Sequence, residues 1–324
     1  MLLQRSRRPL NRHYQTALSS GIGESKESAR RAGQLVYFSP DEGEFRIDYL
    51  SDESGGPIHG GGSIVLTVRG KVRVGVQIAP ARADYSVIRK TAAEADVLGV
   101  DAIFNWDHFF PLGKERDGKH FECWTMLGAW AESTRHAEIG AMVSCVAYRN
   151  ADLLADMART VDHISAGRLV LGLGAGFREW EAQEYGYQFG SPAQRVRDLG
   201  DALQRIERRL AALNPPPTRK LPILVAADGP KALSLAARHA DIWHTFAEGN
   251  VLGEKSRQLD SYCRDLGRDP TEIERSCFVG GDPRRIGPPL REHGVGMFTV
   301  ITSGPSYDLD ELRRWLTWRD EQNA

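Results

Sequence analysis

From Val72 to Ile301 the chain repeats one pattern: a short run rich in β-branched and other apolar residues, then a longer stretch with helical spacing. Apolar runs alternating with helices mark βαβ units around a parallel sheet whose two faces are both covered. The runs are Val72 to Ala79, Asp101 to Asn105, Glu138 to Cys145, Arg168 to Leu173, Leu221 to Ala226, Asp241 to His244, Arg275 to Val279 and Gly296 to Ile301. Their number decides the architecture. Eight βα units in roughly 250 residues match a closed barrel, whereas an open doubly wound sheet of that size usually needs a long interruption or a reversal. The expected fold is α/β, a (β/α)8 TIM barrel, with its active site where the strands end at their C-terminal edges.

Val196, Leu199, Leu203, Ile206, Leu210 and Leu213 recur at intervals of three and four and predict a helix packed on the barrel's outside. Leu153, Leu154, Met157, Val161 and Ile164 predict a second such face, closed by Gly167 as a C-cap. Asp308 with Glu311 predicts a capping box opening the last helix. Trp315 and Trp318 fit either the base of the barrel or a face between two copies.

Residues 1–70 differ in character, with Gly55, Gly56, Gly60, Gly61 and Gly62 around Pro57 and no sustained apolar period. The expected division is a low-complexity, disordered extension over 1–70 and the barrel domain over 71–324, so that a chain starting at Val72 folds by itself. Leu35 to Phe38 and Phe45 to Leu50 flank a Pro-Asp-Glu-Gly turn and are expected to pair as a hairpin. Arg5, Arg7, Arg8 and Arg12 precede the first acid, Glu24, which reads as a basic tail with a faint likeness to a transit peptide.

A formal net charge of -1, with no long run of Lys or Arg along a helix, argues against nucleic acid and anionic membranes as partners. No apolar run approaches the roughly 18 residues that span a bilayer, and no secretory signal is visible, so the expected location is the cytoplasm. Cys123, Cys145, Cys263 and Cys277 show neither CxxC spacing nor His partners at metal-site intervals, which predicts free thiols and no structural metal.

Three clusters fall at strand ends. Asn105-Trp106-Asp107-His108-Phe109-Phe110-Pro111 joins a titratable pair to aromatic walls, which suits proton transfer beside a planar ring. Taken alone, a single loop histidine is more often a structural or surface residue. Gly172-Leu173-Gly174-Ala175-Gly176 allows close backbone approach and presents N–H donors to anionic oxygens, or is simply a turn that needs glycine. It is not the dinucleotide fingerprint, whose spacing and following acid are missing. In Ala226-Ala227-Asp228-Gly229-Pro230-Lys231, Pro230 reads as a first helical residue capped by Asp228 or Gly229, and the free N–H groups of that helix form either an anion site or an ordinary connection. The first strand, Val74-Gly75-Val76-Gln77-Ile78, lacks the HxH pair of metal-dependent barrel hydrolases, and no strand ends on a Schiff-base lysine. A redox cofactor remains the better explanation.

The three clusters, in this order, resemble those of the luciferase-like monooxygenase superfamily, especially its F420-dependent actinobacterial branch. The most specific stretches are Tyr148 to Ala155 and Thr160 to Phe177, similar to the family's R-N-P, T-L-D, S-G-G-R and L-G-x-G-x-G pattern. Ala226 to Lys231 resembles its G-G-S-G-P-K segment, and Ala236 to Asp241 its A-A-R-Y-A-D. The likeness covers Val72 to Ile301. It implies a deazaflavin, coenzyme F420, or alternatively FMN, with its ring against a bulge after the third strand. There the family often has a non-prolyl cis peptide, at a place matching Cys145 and Val146. Asp107 and Ser144 would hydrogen-bond the ring. The backbone of Gly174, Ala175 and Gly176 and of Ala226, Ala227, Asp228 and Gly229 would hold the phosphate, and His108 would be the catalytic acid or base.

Two departures bear on the substrate. The sugar-phosphate-oxidising branch has a Trp four residues after the His and a Glu directly after the glycine-rich motif, where this chain has Leu112 and Phe177. A more apolar pocket for an unsaturated or carbonyl substrate is as plausible. Ala226 and Ala227 also replace glycines. The reading that follows is an F420-dependent oxidoreductase moving a hydride to or from a small organic substrate, with an FMN-dependent monooxygenase using oxygen as one alternative and a cofactor-binding protein without turnover as another. The acidic F420 tail would need a basic exit, for which Arg149, Arg178 and Lys231 are candidates. Relatives often form dimers, so a homodimer is expected.

Overall fold

The computed structural model describes residues 70–113 and 116–324, together with the backbone of two strands, β1 (Leu35–Ser39) and β2 (Glu44–Asp48), which pair as a two-stranded sheet. The expected pairing of these two segments is therefore present. The disorder, transit-peptide and domain-boundary expectations for the rest of 1–69 lie outside the described residues.

Residues from Arg73 onward build strands β3 (Arg73–Ile78), β4 (Ala102–Asn105), β5 (Glu138–Ala141), β6 (Ser144–Cys145), β7 (Leu169–Gly174), β8 (Ile223–Ala226), β9 (Ile242–Thr245), β10 (Glu274–Phe278) and β11 (Val295–Thr302). All pair in parallel in the order β5-β4-β3-β11-β10-β9-β8-β7-β6, and pairing of β5 with β7 closes the sheet. With β5 and β6 as two halves of one broken strand, this is the expected eight-stranded barrel. Helices α1 (Tyr85–Val97), α2 (Cys123–Ser133), α3 (Ala151–Ile164), α4 (Glu179–Glu184), α5 (Pro192–Ala212), α6 (Pro230–His239), α7 (Gly249–Asp265), α8 (Pro283–Glu292) and α9 (Asp310–Asn323) follow the strands.

Side-chain alternation along the strands separates two cores. Phe104, Met142, Val170, Leu224, Ile242 and Met297 fill the barrel interior, while Ile103, Val225, Trp243 and Phe298 pack outward with the helices. The stripe of α5 behaves as expected, with Leu199, Leu203 and Ile206 buried. On α3 only Leu154 and Val161 of the expected face are buried. Leu153 and Ile164 are exposed, because five apolar residues span a wider arc than the helix contacts. The α3 C-cap is Ser165, and Gly167, at φ +85, turns the chain two residues later. The capping box does not form: α9 starts at Asp310, Asp308 accepts from the Asp310 N–H, and Glu311 reaches across to the Gly281 N–H. Trp315 and Trp318 are buried against Phe298 on β11 and so belong to the core of one chain.

The third strand is broken by one extra residue. Ile139 and Gly140 pair with Leu169 and Val170, but Ser144 and Cys145 pair with Leu173 and Gly174, so the partner offset drops from thirty to twenty-nine between them. The non-prolyl cis peptide lies in this bulge, between Met142 and Val143, which corrects the expected position at Cys145 and Val146. The physical reason is the register. By Ser144 the strand has rejoined β7, so the irregular geometry must fall earlier, where Met142 O turns inward to accept from Gln77 Nε2 at 2.7 Å.

Candidate active site

The C-terminal ends of the strands carry the candidate residues. His108 follows β4, and its Nδ1 lies 2.9 Å from Glu181 Oε2 on α4. Glu181 is fully buried; it also receives Arg178 Nη1 at 2.8 Å and sits 3.5 Å from the Tyr148 hydroxyl. Burial alone would push the Glu181 carboxyl up, but the hydrogen bonds and charges of His108 and Arg178 outweigh it and hold the group below the usual carboxylate range. An ionised carboxylate only accepts, so the neutral His108 ring carries its proton on Nδ1, which leaves Nε2 with its lone pair. Phe177, 64% exposed, meets the His108 ring edge-on with centroids 5.4 Å apart. Sequence reasoning missed Glu181 because it lies 73 positions from His108 in a segment with no distinctive spacing.

Asp107 is buried and paired with Arg149, which also holds Glu122. Burial pushes the Asp107 carboxyl up, against the pull of Arg149. His120 accepts from Trp106 Nε1 at 3.4 Å, and burial together with the nearby His108 pulls it down to about 4. Ser144 is fully buried, and its Oγ accepts from Trp124 Nε1 of α2 at 2.9 Å, which directs it at the helix layer. Asp107 and Ser144, expected at the ring, thus each hold a protein partner, Arg149 and Trp124. Cys145 is buried beside Val146, and burial pushes its thiol up to about 12.

The glycine run has a packing cause. A Cβ on Gly172 would stand 2.0 Å from Ala141 O, one on Gly174 2.6 Å from Val143 Cγ2, and one on Gly176, at φ +74, 2.4 Å from Cys145 Sγ. These glycines let β7 lie against the bulged strand. Ala175, between them, is half-buried. Gly229 is different, with nothing within 4 Å of its would-be Cβ and a position as N-cap of α6 without a side-chain cap, so the N–H groups of that helix stay open. Asp228 turns its carboxylate to Thr245 and Phe246 N, Ala227 N donates to His244 O, and Ala226 is half-buried beside them.

Aromatic residues ring the mouth: Phe109 stacks on Tyr185 at 4.0 Å and Tyr148 lies 4.4 Å away. An open cleft of about 670 Å³ runs alongside, lined by Tyr148, Tyr187, Leu153, Met157, Glu122 and Arg149. Among the described residues no three His, Cys, Asp or Glu side chains are grouped to hold a metal ion, and no helix is long and apolar enough to cross a membrane.

Comparison with known proteins agrees with this geometry. The phthiodiolone/phenolphthiodiolone dimycocerosates ketoreductase of Mycobacterium tuberculosis is 28% identical over 229 residues, 59% of this chain and 60% of that protein. A protein of the same organism assigned by name to the coenzyme F420-dependent oxidoreductases is 29% identical over 166 residues, 43% of this chain and 48% of that one. The chain therefore spans between about half and 60% of the length of these curated relatives. An F420-dependent secondary alcohol dehydrogenase in complex with an F420-acetone adduct superposes with a TM-score of 0.65 at 16% identity, over 78% of this chain and 98% of that one, a likeness of fold. Residues 63–280, about two thirds of the chain, match the luciferase-like monooxygenase family model, and the chain belongs to that family.

Proposed function

We propose that this chain is an F420-dependent oxidoreductase that moves a hydride between the deazaflavin and a ketone or secondary alcohol, with His108 handling the proton. The observation that carries the reading is the His108–Glu181 pair at the end of β4: a buried anion fixes the ring so that Nε2 faces the task. A bound deazaflavin supplies a two-electron carrier, which leaves the protein to place the substrate and move one proton. In ketone reduction the His108 imidazolium gives its Nε2 proton to the forming alkoxide and is left neutral with Nδ1–H on Glu181, and in the reverse direction the neutral ring takes that proton from the alcohol at Nε2. The bulge at Met142 to Val146 and the backbone of Gly174 to Gly176 offer a flat apolar wall for a ring. The residues fit the cofactor's phosphate best at α6, whose N-terminus is open beside Ala226 to Gly229. The named activities of the ketoreductase and the F420-dependent relative support the substrate and cofactor classes.

FMN remains the second reading, and one observation favours it. Arg149 and Arg178, two of the three cations considered for the acidic F420 tail, are already ion-paired inside the chain, which leaves Lys231. The test is oxidation of reduced F420 by simple ketones with the wild type and His108→Ala. The proposal expects a rate loss of about 10²-fold or more, with F420 affinity within about twofold. An unchanged rate would remove His108 from the chemistry, and tight binding without any turnover would make the chain a binding protein.

A further inference from the structure

The interior of the barrel is divided by chemistry. His244 follows the inward-facing Ile242 by two residues, Thr299 follows Met297, and Ser276 precedes Phe278 by two, so all three face the interior. Gly75 does too, since a Cβ there would stand 3.1 Å from Thr299 Oγ1 and 3.4 Å from Phe104 Cε2, and this places Gln77 inward as well. These polar residues occupy the neighbouring strands β9, β10, β11 and β3. The facing wall of β4, β5, β7 and β8 presents Phe104, Val170 and Leu224 beside the glycine seam.

Two of the polar groups are satisfied: Gln77 donates to Met142 O, and Ser276 Oγ bonds His244 Nδ1 at 3.0 Å. His244 Nε2 and Thr299 Oγ1 are buried without a hydrogen-bond partner, and the other such atoms among the described residues sit on helices. His244 is level with the cofactor wall, because it pairs in register with Ala226, whose Cβ is 3.9 Å from where a Cβ on Gly174 would be. Phe278 and Phe246 meet its ring edge-on at 4.6 and 5.2 Å, and Phe246 is 55% exposed at the mouth. A buried nitrogen without a partner costs stability, and a ligand oxygen that bonds it removes that cost. Burial pulls the His244 imidazole down to about 3, which keeps it neutral.

We infer that His244 Nε2 and Thr299 Oγ1 bind the substrate's carbonyl or hydroxyl oxygen, on the wall opposite the Gly172 and Gly174 seam, with Phe246 turning aside to admit it. The inference rests on the oxidoreductase reading and adds the residues that position the reacting oxygen. With the Ser276 hydroxyl donating to Nδ1, Nε2–H donates to a ketone; with Nδ1–H donating to Ser276, Nε2 accepts from an alcohol. One neutral ring thus serves both oxidation states.

The test titrates the ¹⁵N-histidine-labelled full chain with cyclohexanone and cyclohexanol, with F420 present, and compares His244→Phe and His244→Gln. The expected results are a saturable shift of the His244 Nε2 resonance, a higher Tm for His244→Phe, a fall in its kcat/KM of tenfold or more with F420 affinity within twofold, and partial recovery in His244→Gln. A higher Tm with unchanged kcat/KM would overturn the inference, leaving a buried nitrogen with no ligand. If His244→Phe does not fold, absence of the Nε2 shift in the native chain overturns it equally. Failure of the native chain to bind F420 would overturn the functional reading and this inference with it.

Discussion

Glu181→Gln removes one negative charge from the carboxylate that holds the His108 ring and leaves the side chain's shape intact. In the native chain the ionised Glu181 accepts from His108 Nδ1, from Arg178 and, at 3.4 Å, from the Phe109 N–H. A glutamine amide can present either its oxygen or its NH₂ to Nδ1. The wrong tautomer, with the proton on Nε2, then becomes as accessible as the right one, and the imidazolium formed in turnover loses its counter-charge. A positioned acid or base contributes roughly 10² to 10⁴ in rate, and the ring stays in place, so the expected loss is about 10²-fold in kcat, or ~2.7 kcal/mol at 1.36 per decade. KM should stay within about threefold, because Glu181 is fully buried and bonds His108 and Arg178 rather than the open site. Arg178, 9% exposed, loses its anion, which should cost about 3 kcal/mol of stability, at the lower end for a broken buried pair because the amide still bonds. The assay is steady-state oxidation of reduced F420 for the wild type, Glu181→Gln, His108→Ala and the double variant. Since the two side chains act as one unit, the double variant should be no slower than His108→Ala. Wild-type kcat in Glu181→Gln, or losses that multiply in the double variant, would refute the orienting role.

Two other perturbations follow from the frame. Asp96 on α1 accepts from the backbone N–H of Arg135, His136 and Ala137 at 2.7, 2.9 and 2.7 Å, and although its burial would push the carboxyl up, those bonds hold it below 3.8. Its folded pKa lies below its unfolded one, so its stabilisation is complete above about 3.8 and is lost as pH falls through the lower folded value. Asp96→Asn should cost about 2 kcal/mol at neutral pH, and the gap in urea midpoint should close in strong acid. Gly172→Ala sets a Cβ 2.0 Å from a backbone oxygen and should cost more than about 3 kcal/mol, whereas Gly229→Ala, in open space at a helix N-cap, should cost less than about 1 kcal/mol.

The barrel was legible because its strands are buried on both faces, so each reads as an apolar run whose ends lie within two or three residues of the observed ones. Local contests decided the misses. Glu311 looked like a capping partner by spacing but is drawn to Gly281 N across the barrel rim, and no spacing rule sees that contact. The bulge falls three residues before its expected place because its position depends on the register between β5, β6 and β7, a pairing distant in sequence. The spacing of the glycine run carries its chemistry, and its packing against Val143 and Cys145 appears only when two strands meet. His108 stood out as a titratable group at a strand end. Glu181 and His244 did not: one is a lone acid in a short helix and the other a lone histidine in an apolar strand, and burial and partners, which composition does not carry, give them their meaning.

The central claim is the cofactor, and fluorescence-quench titration of the purified chain with F420 and with FMN, at matched concentration and salt, tests it most directly. The account predicts saturable F420 binding at micromolar or tighter Kd, weaker FMN binding, and a drop in F420 affinity when Lys231 is changed to Glu beside the open N-terminus of α6. Preference for FMN would contradict the deazaflavin assignment, and binding of neither would contradict the account of the site altogether.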